Sequence, residues 1–132
     1  MKRNILGVIG LLFISVTVGI NTPAHAAPSS YQKTCSDISI NGNQLSATCQ
    51  TRNGASRQTS IVIRGIENIN GNLQVTNPNQ VSSYQKTCSN IDINGRQIKA
   101  TCQTRNGRSK QTSIVLRGIE NIDGYLKYTS SP

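Results

Sequence analysis

The sequence predicts an all-β protein made twice over from one unit of about fifty residues, and three observations carry that expectation. The segment 30–76 recurs as 83–129 at a spacing of 53, with 35 of 47 positions identical, so the chain is a tandem duplication. Within each copy apolar residues alternate with polar ones at the period of a strand rather than a helix. Asn41-Gly42, Asn53-Gly54 and Asn70-Gly71 in the first copy return as Asn94-Gly95, Asn106-Gly107 and Asp123-Gly124, pairs that accept positive φ and close hairpins.

The chain opens with a segment that is not expected to belong to the fold. Lys2-Arg3, the apolar run from Ile5 to Ile20 and the small-x-small sequence Ala24-His25-Ala26 have the form of an export signal spanning residues 1–26, cut before Ala27. The run is about 16 residues, short of the roughly 20 needed to span a bilayer, so no membrane association is expected once the signal is removed. About 106 residues then remain, one domain over 27–132, in a secreted or periplasmic location. Loss of Lys2 and Arg3 lowers the formal charge from +9 to +7, still basic.

Strand signals follow in order: Ile38 and Ile40, then Leu45 and Ala47, then Ile61 and Ile63. With Gly42-Asn43 as the loop, Ile40 faces Leu45, Ile38 faces Ala47 and Ser36 faces Cys49. Cys35 is then one place out of register, and a bulge near Ser36 would bring it to Cys49. An oxidising compartment favours disulfides over a thiolate metal site. The pairing Cys35 with Cys49 and Cys88 with Cys102 is preferred over Cys35 with Cys88, whose positions the duplication should hold apart. Each such bond closes a loop of roughly 15 residues, stabilising by about 3 kcal/mol. The Pro-containing stretch 77–82 reads as a linker between the copies. Copies of this size are barely adequate as independent cores, so the two are expected to pack into one body, with strands of one completing the other.

Catalysis is not supported. The segment 27–132 has no His, no free thiol if both disulfides form, and only Asp37, Glu67, Asp92, Glu120 and Asp123 as carboxylates, with nothing in the sequence to raise a pKa. The chain is therefore read as a binding protein, not an enzyme, with no cofactor and no metal. Its Asn, Gln, Ser and Thr content suits a ligand rich in hydroxyls, which both donate and accept. Its basic balance offers the alternative of an acidic polymer or nucleic acid, although the cations are scattered and export disfavours a nucleic acid partner.

Four features together resemble the cyanovirin-N-like lectins. They are the tandem repeat itself, the Thr-Cys opening of each copy (Thr34-Cys35, Thr87-Cys88), the polar runs after the second Cys (Gln50 to Gly54, Gln103 to Gly107), and the closing segments Glu67-Asn68-Ile69-Asn70-Gly71-Asn72-Leu73 and Glu120-Asn121-Ile122-Asp123-Gly124-Tyr125-Leu126. The resemblance covers about residues 29–129. It implies a two-fold pseudo-symmetric cyanovirin-N-like fold of short antiparallel strands and hairpins, one disulfide per repeat, with the terminal hairpin of each repeat packed on the other half. It also implies binding of oligomannose glycans and glycoproteins, typically through terminal α1→2-linked mannose, at one metal-free site per half. The first site would comprise Lys33, Thr34, Gln50, Thr51, Arg52 and Asn53, with Asn121 and Asp123 crossing over. The second would comprise Ser82, Ser83, Lys86, Thr87, Gln103, Thr104, Arg105 and Asn106, with Glu67, Asn68 and Asn70. A linker of this length relieves the hinge strain that invites swapping, so a monomer is expected, with a domain-swapped dimer as the alternative.

Overall fold

The computed structural model describes residues 26–132; the segment 1–26 read as an export signal lies outside them but for Ala26. Each copy starts with a single 3-10 turn, Tyr31–Lys33 or Tyr84–Lys86. In the first copy β1 (Cys35–Asn41), β2 (Gln44–Gln50) and β3 (Ser56–Val62) form an antiparallel sheet in that order, and β4 (Ile66–Ile69) with β5 (Asn72–Val75) forms a separate hairpin. The second copy repeats this with the sheet β6 (Cys88–Asn94), β7 (Gln97–Gln103), β8 (Ser109–Val115) and the hairpin β9 (Ile119–Ile122), β10 (Tyr125–Tyr128).

Register follows the expected Gly42-Asn43 loop near the turn and departs from it farther along. Asn41 pairs with Gln44 and Ile40 with Leu45, but the ladder slips between Ser36 and Ser39, so that Ser36 faces Thr48 and Cys35 faces Cys49. A bulge at Asp37 and Ile38, next to Ser36 where one was expected, thus shifts the ladder by one residue and brings Cys35 opposite Cys49, and the pair of Ile38 with Ala47 does not form. Asp37 supplies the reversal with φ of 51°, a left-handed conformation that Asp and Asn tolerate better than most residues. Asn90, also at 51°, does the same in the second copy. The bulge puts both cysteine pairs in register, and disulfides join Cys35 to Cys49 and Cys88 to Cys102.

The six turn dipeptides are also not alike. Both central residues take positive φ only at Asn70-Gly71 (52° and 89°) and Asp123-Gly124 (52° and 91°), the type I′ pattern suited to the twist of a two-residue hairpin. In the other four pairs the glycine alone does so.

Neither three-stranded sheet closes its core with its own hairpin. The β9–β10 hairpin packs by β10 on β3 and by β9 on the Tyr31 turn, while β5 packs on β8 and β4 on the Tyr84 turn. The result is one continuous core running through both copies, including Tyr31, Leu45, Ile63, Ile66, Leu73 and their counterparts Tyr84, Ile98, Leu116, Ile119 and Leu126. Backbone clasps enforce the exchange. The Ser29 N–H donates to Leu116 O (2.9 Å) and its hydroxyl accepts from the Ile119 N–H (3.0 Å); Ser82 makes the matching bonds to Ile63 O (2.9 Å) and the Ile66 N–H (2.9 Å).

Two fully buried phenols lock the copies together. Tyr31 donates to the Gly95 carbonyl and Tyr84 to the Gly42 carbonyl, each reaching across to the turn between the first two strands of the other copy. Burial raises both phenol pKa values, since the phenolate would lose its hydration. A raised pKa in the folded state means that the stabilisation is complete below the ordinary value near 10 and is lost as pH climbs beyond it. Stability measured by urea unfolding is therefore expected to fall above about pH 10. Tyr84→Phe should cost about 1–2 kcal/mol at neutral pH, by stranding the Gly42 carbonyl, and should make the alkaline decline shallower. Equal alkaline slopes for the variant and the parent would count against this role.

Candidate functional site

The exchange of hairpins lays a hairpin turn across a polar loop in each half, and in the first half the two enclose a cleft. In the first half the Cys35–Cys49 bond fixes the residues beside it, so that the Gln50 N–H donates to Thr34 O (3.0 Å) and the two ends of the sheet strands lie side by side. Beyond them the polar run is a self-tied loop: the Thr51 N–H donates to Ala55 O (2.8 Å), the Ala55 N–H to Thr51 Oγ1 (3.1 Å) and the Thr51 hydroxyl to Asn53 Oδ1. Such a loop presents its polar groups with little ordering left to pay for on binding.

The β9–β10 turn crosses onto this loop. Asn121 Nδ2 donates to both Thr34 Oγ1 and Gln50 O (2.9 Å each), while its Oδ1 accepts from the Gly124 N–H (2.7 Å). Asp123 Oδ1 accepts from the Arg52 N–H (2.9 Å). Gly124 is required here twice over, because its φ is 91° and a Cβ would lie 2.9 Å from Thr51 Cγ2. Thr34, Gln50, Thr51, Arg52, Asn121 and Asp123 then line a cleft of about 270 Å³, adjoined by one of about 290 Å³ where Asn53 and Arg57 join Thr51 and Asp123.

Of the eight residues expected at the first site, the structure brings seven onto these walls, whereas Lys33 is exposed at the end of the 3-10 turn, beside Thr34 but outside the cleft lining. Asn121 lines the cleft in a different capacity from that expected. Both of its amide hydrogens and one lone pair are used within the protein, so it positions the turn, whereas the Arg52 side chain and the Asp123 carboxylate are exposed.

The second half repeats the geometry. Asn68 Nδ2 donates to Thr87 Oγ1 and Gln103 O (2.9 Å each), the Gly71 N–H donates to Asn68 Oδ1 (2.7 Å), and Asn70 Oδ1 accepts from the Arg105 N–H (3.0 Å). Thr104 and Asn106 tie the loop as Thr51 and Asn53 do. Two expected members lie elsewhere. Ser82 is 2% exposed with its hydroxyl accepting from the Ile66 N–H, and Ser83, half-buried, donates its N–H to Ile66 O (3.1 Å), so both take part in the clasp between linker and hairpin. Glu67 pairs with Gln74 inside the hairpin and is half-buried; Lys86 is exposed, like Lys33.

The two halves differ in the residue that the crossing hairpin brings to the loop, and also at Ala55 and Arg57, where the second half has Arg108 and Lys110. Asp123 offers a carboxylate that accepts only, and Asn70 offers in its place an amide with a donor. Sequence reasoning missed Arg57, which lines the adjoining cleft and stacks on Tyr125 with its guanidinium carbon 4.3 Å from the ring centroid. The two are 68 residues apart, and no local pattern links them. Among the described residues no cluster of three or more His, Cys, Asp or Glu could hold a metal.

Known proteins share this architecture. Microvirin, solved with mannobiose, is 31% identical over 77% of this chain and 99% of its own, with a TM-score of 0.59. A variant of MoCVNH3 in complex with (N-GlcNAc)4 is 17% identical over 80% of this chain and 99% of its own (TM-score 0.65). The T. borchii CVNH protein is 22% identical over 76% and 99% (TM-score 0.65). These last two establish likeness of fold. The CVNH domain model itself matches residues 31–127, taking in both sheets, both exchanged hairpins and both disulfides, and this chain belongs to the CVNH family.

Proposed function

We propose that the protein is a secreted or periplasmic lectin that binds oligomannose glycans, with terminal α1→2-linked mannose as its preferred unit, through the two clefts and without a metal. The observation that carries this is the Asp123 carboxylate held at 2.9 Å on the Arg52 N–H, in an open polar cleft of a chain 31% identical to microvirin, a protein solved with mannobiose. Adjacent sugar hydroxyls donate and accept in turn, and a carboxylate beside a rigid loop of hydroxyls, amides and Arg52 answers both roles.

The clefts are not equal. Charge-assisted hydrogen bonds are roughly twice as strong as neutral ones, so the first cleft is the tighter. Asp123→Asn, which keeps a residue tolerant of the left-handed turn and copies the second cleft, should weaken the first by about fivefold, about 1 kcal/mol. Asp123→Ala should weaken it further and leave a protein that binds free sugar but no longer cross-links glycoproteins, while Asn70→Ala does less. Titration calorimetry with a di- or trimannoside checks this, and an unchanged two-site isotherm for Asp123→Ala would refute the assignment.

A second reading is favoured by one observation. The second half places Arg105, Arg108 and Lys110 where the first has Arg52, Ala55 and Arg57, and Asn70 replaces the carboxylate. This is a surface suited to an acidic polymer. The two readings separate on salt: binding to a polyanion falls steeply as salt rises, whereas glycan binding should persist at physiological salt and be inhibited by free mannobiose.

Export and a monomeric state belong to the same proposal. Ala27 O accepts from the Gly118 N–H (3.1 Å) and Ser29 closes the core, so a chain cut before Ala27 keeps these contacts. The linker is anchored on its own copy, with Gln80 O accepting from the Gly65 N–H (2.7 Å) and Arg64 bonding to Asn79 O (3.2 Å), which favours closure within one chain. Protein recovered from an exporting cell should begin at Ala27 on N-terminal sequencing and elute as a monomer from a sizing column; an uncut N-terminus or a dominant dimer at low concentration would contradict these expectations.

A further inference from the structure

Tyr125 is anomalous among the four tyrosines. Tyr31 and Tyr84 are fully buried and Tyr128 is half-buried, receiving the Arg64 N–H on its hydroxyl (3.0 Å), whereas Tyr125 is 45% exposed. Single exposed aromatics are common and carry no meaning alone. This one forms a wall of a groove of about 690 Å³ across the face of β1–β3, lined apart from Ala47 by polar groups that include Asp37, Ser39, Thr48, Gln58 and Ser60. An aromatic ring amid hydroxyls, an amide and a carboxylate is the composition that suits a pyranose, whose C–H face is apolar and whose edge is hydroxylated.

The ring is held in place. Arg57 lies 4.3 Å from its centroid and the Lys127 ammonium 5.8 Å, and the next residue in the hairpin is pinned by the Leu126 N–H donating to Thr59 Oγ1 (3.1 Å). Arg57 also lines the small cleft that it shares with Asp123 and Thr51, and those two line the first site in turn. Arg57 therefore links the two places, lining the cleft beside the first site and stacking on the ring that walls the groove. The corresponding groove in the second half, about 500 Å³ and lined by Asn90, Asp92, Lys99 and Gln111 among others, has no aromatic wall, because Asn72 stands where Tyr125 does in the first.

We propose that the groove beside Tyr125 is an extension subsite, which takes a further hexose of an oligosaccharide whose terminal disaccharide occupies the first site. It rests on the lectin reading and makes the first half, but not the second, sensitive to glycan length.

Titration of isotopically labelled protein with α1→2-linked mannobiose and with a linear mannotetraose tests this, the amides of Arg52 and Arg105 reporting the two sites separately by NMR. The tetraose should bind the first site about threefold to tenfold more tightly than mannobiose, the range of one aromatic contact, with no such gain at the second. Tyr125→Ala should abolish the gain, Tyr125→Phe should keep it, and Asn72→Tyr should create one at the second site. An amide spectrum unperturbed away from the substituted strand, β10 or β5, establishes that each variant is folded. Mannobiose failing to bind at all would remove the lectin reading and this proposal with it. Mannobiose binding with no gain for the tetraose, or with the same gain in Tyr125→Ala, would overturn the extension subsite alone.

Discussion

Everything in this molecule depends on the reciprocal exchange of hairpins. A sheet of three seven-residue strands buries one face, and about fifty residues supply too few apolar side chains to cover it. The hairpin that could cover it is placed by its own chain on the neighbour instead, and the neighbour returns the contact. Ile66 and Ile119 are the pivots. Each is buried at the start of a hairpin, each donates its N–H to a buried serine hydroxyl, and each belongs to one copy while facing the start of the other. Because the two exchanges are equivalent, the core is continuous and neither copy is expected to be stable without the other.

The clefts are by-products of that exchange. A site whose walls come from two copies exists only when the hairpin is seated, and Asn121 and Asn68 make the dependence explicit by using nearly all of their hydrogen-bonding capacity to join hairpin to sheet. The groups left over for a ligand, chiefly Asp123 or Asn70 and the residues of the polar loop, are held by backbone bonds and by a disulfide one residue before the loop begins. Rigidity of this kind lowers the ordering cost of binding.

Duplication made two polar loops that each receive a crossing hairpin, and the few positions at which the copies differ make them distinct. Asp123 against Asn70 changes an acceptor into a donor, Ala55 against Arg108 and Ser46 against Lys99 add charge to the second half, and Tyr125 against Asn72 gives an aromatic wall to the first half alone. All of these positions are on the surface or in loops, whereas the buried differences, Leu45 for Ile98 and Ile63 for Leu116, conserve volume. The core is kept symmetric by packing; the surface is free to diverge.

By itself the sequence carried the strands of the two sheets, the turns and a preference for the two disulfides that form, because alternation, Asn-Gly chemistry and the 14-residue spacing of the cysteines are all local. It also carried the composition of both polar loops, and through the resemblance it placed most of the first cleft's residues. It placed a bulge near Ser36, and the structure adds that the left-handed residue of that bulge is Asp37. It did not show that Ser82 is a buried clasp, that Asn121 is a brace, or that Arg57 and Tyr125 touch. Those facts depend on which face of one copy meets which edge of the other. That choice is made by complementary surfaces brought together across fifty residues or more, and no local pattern records it.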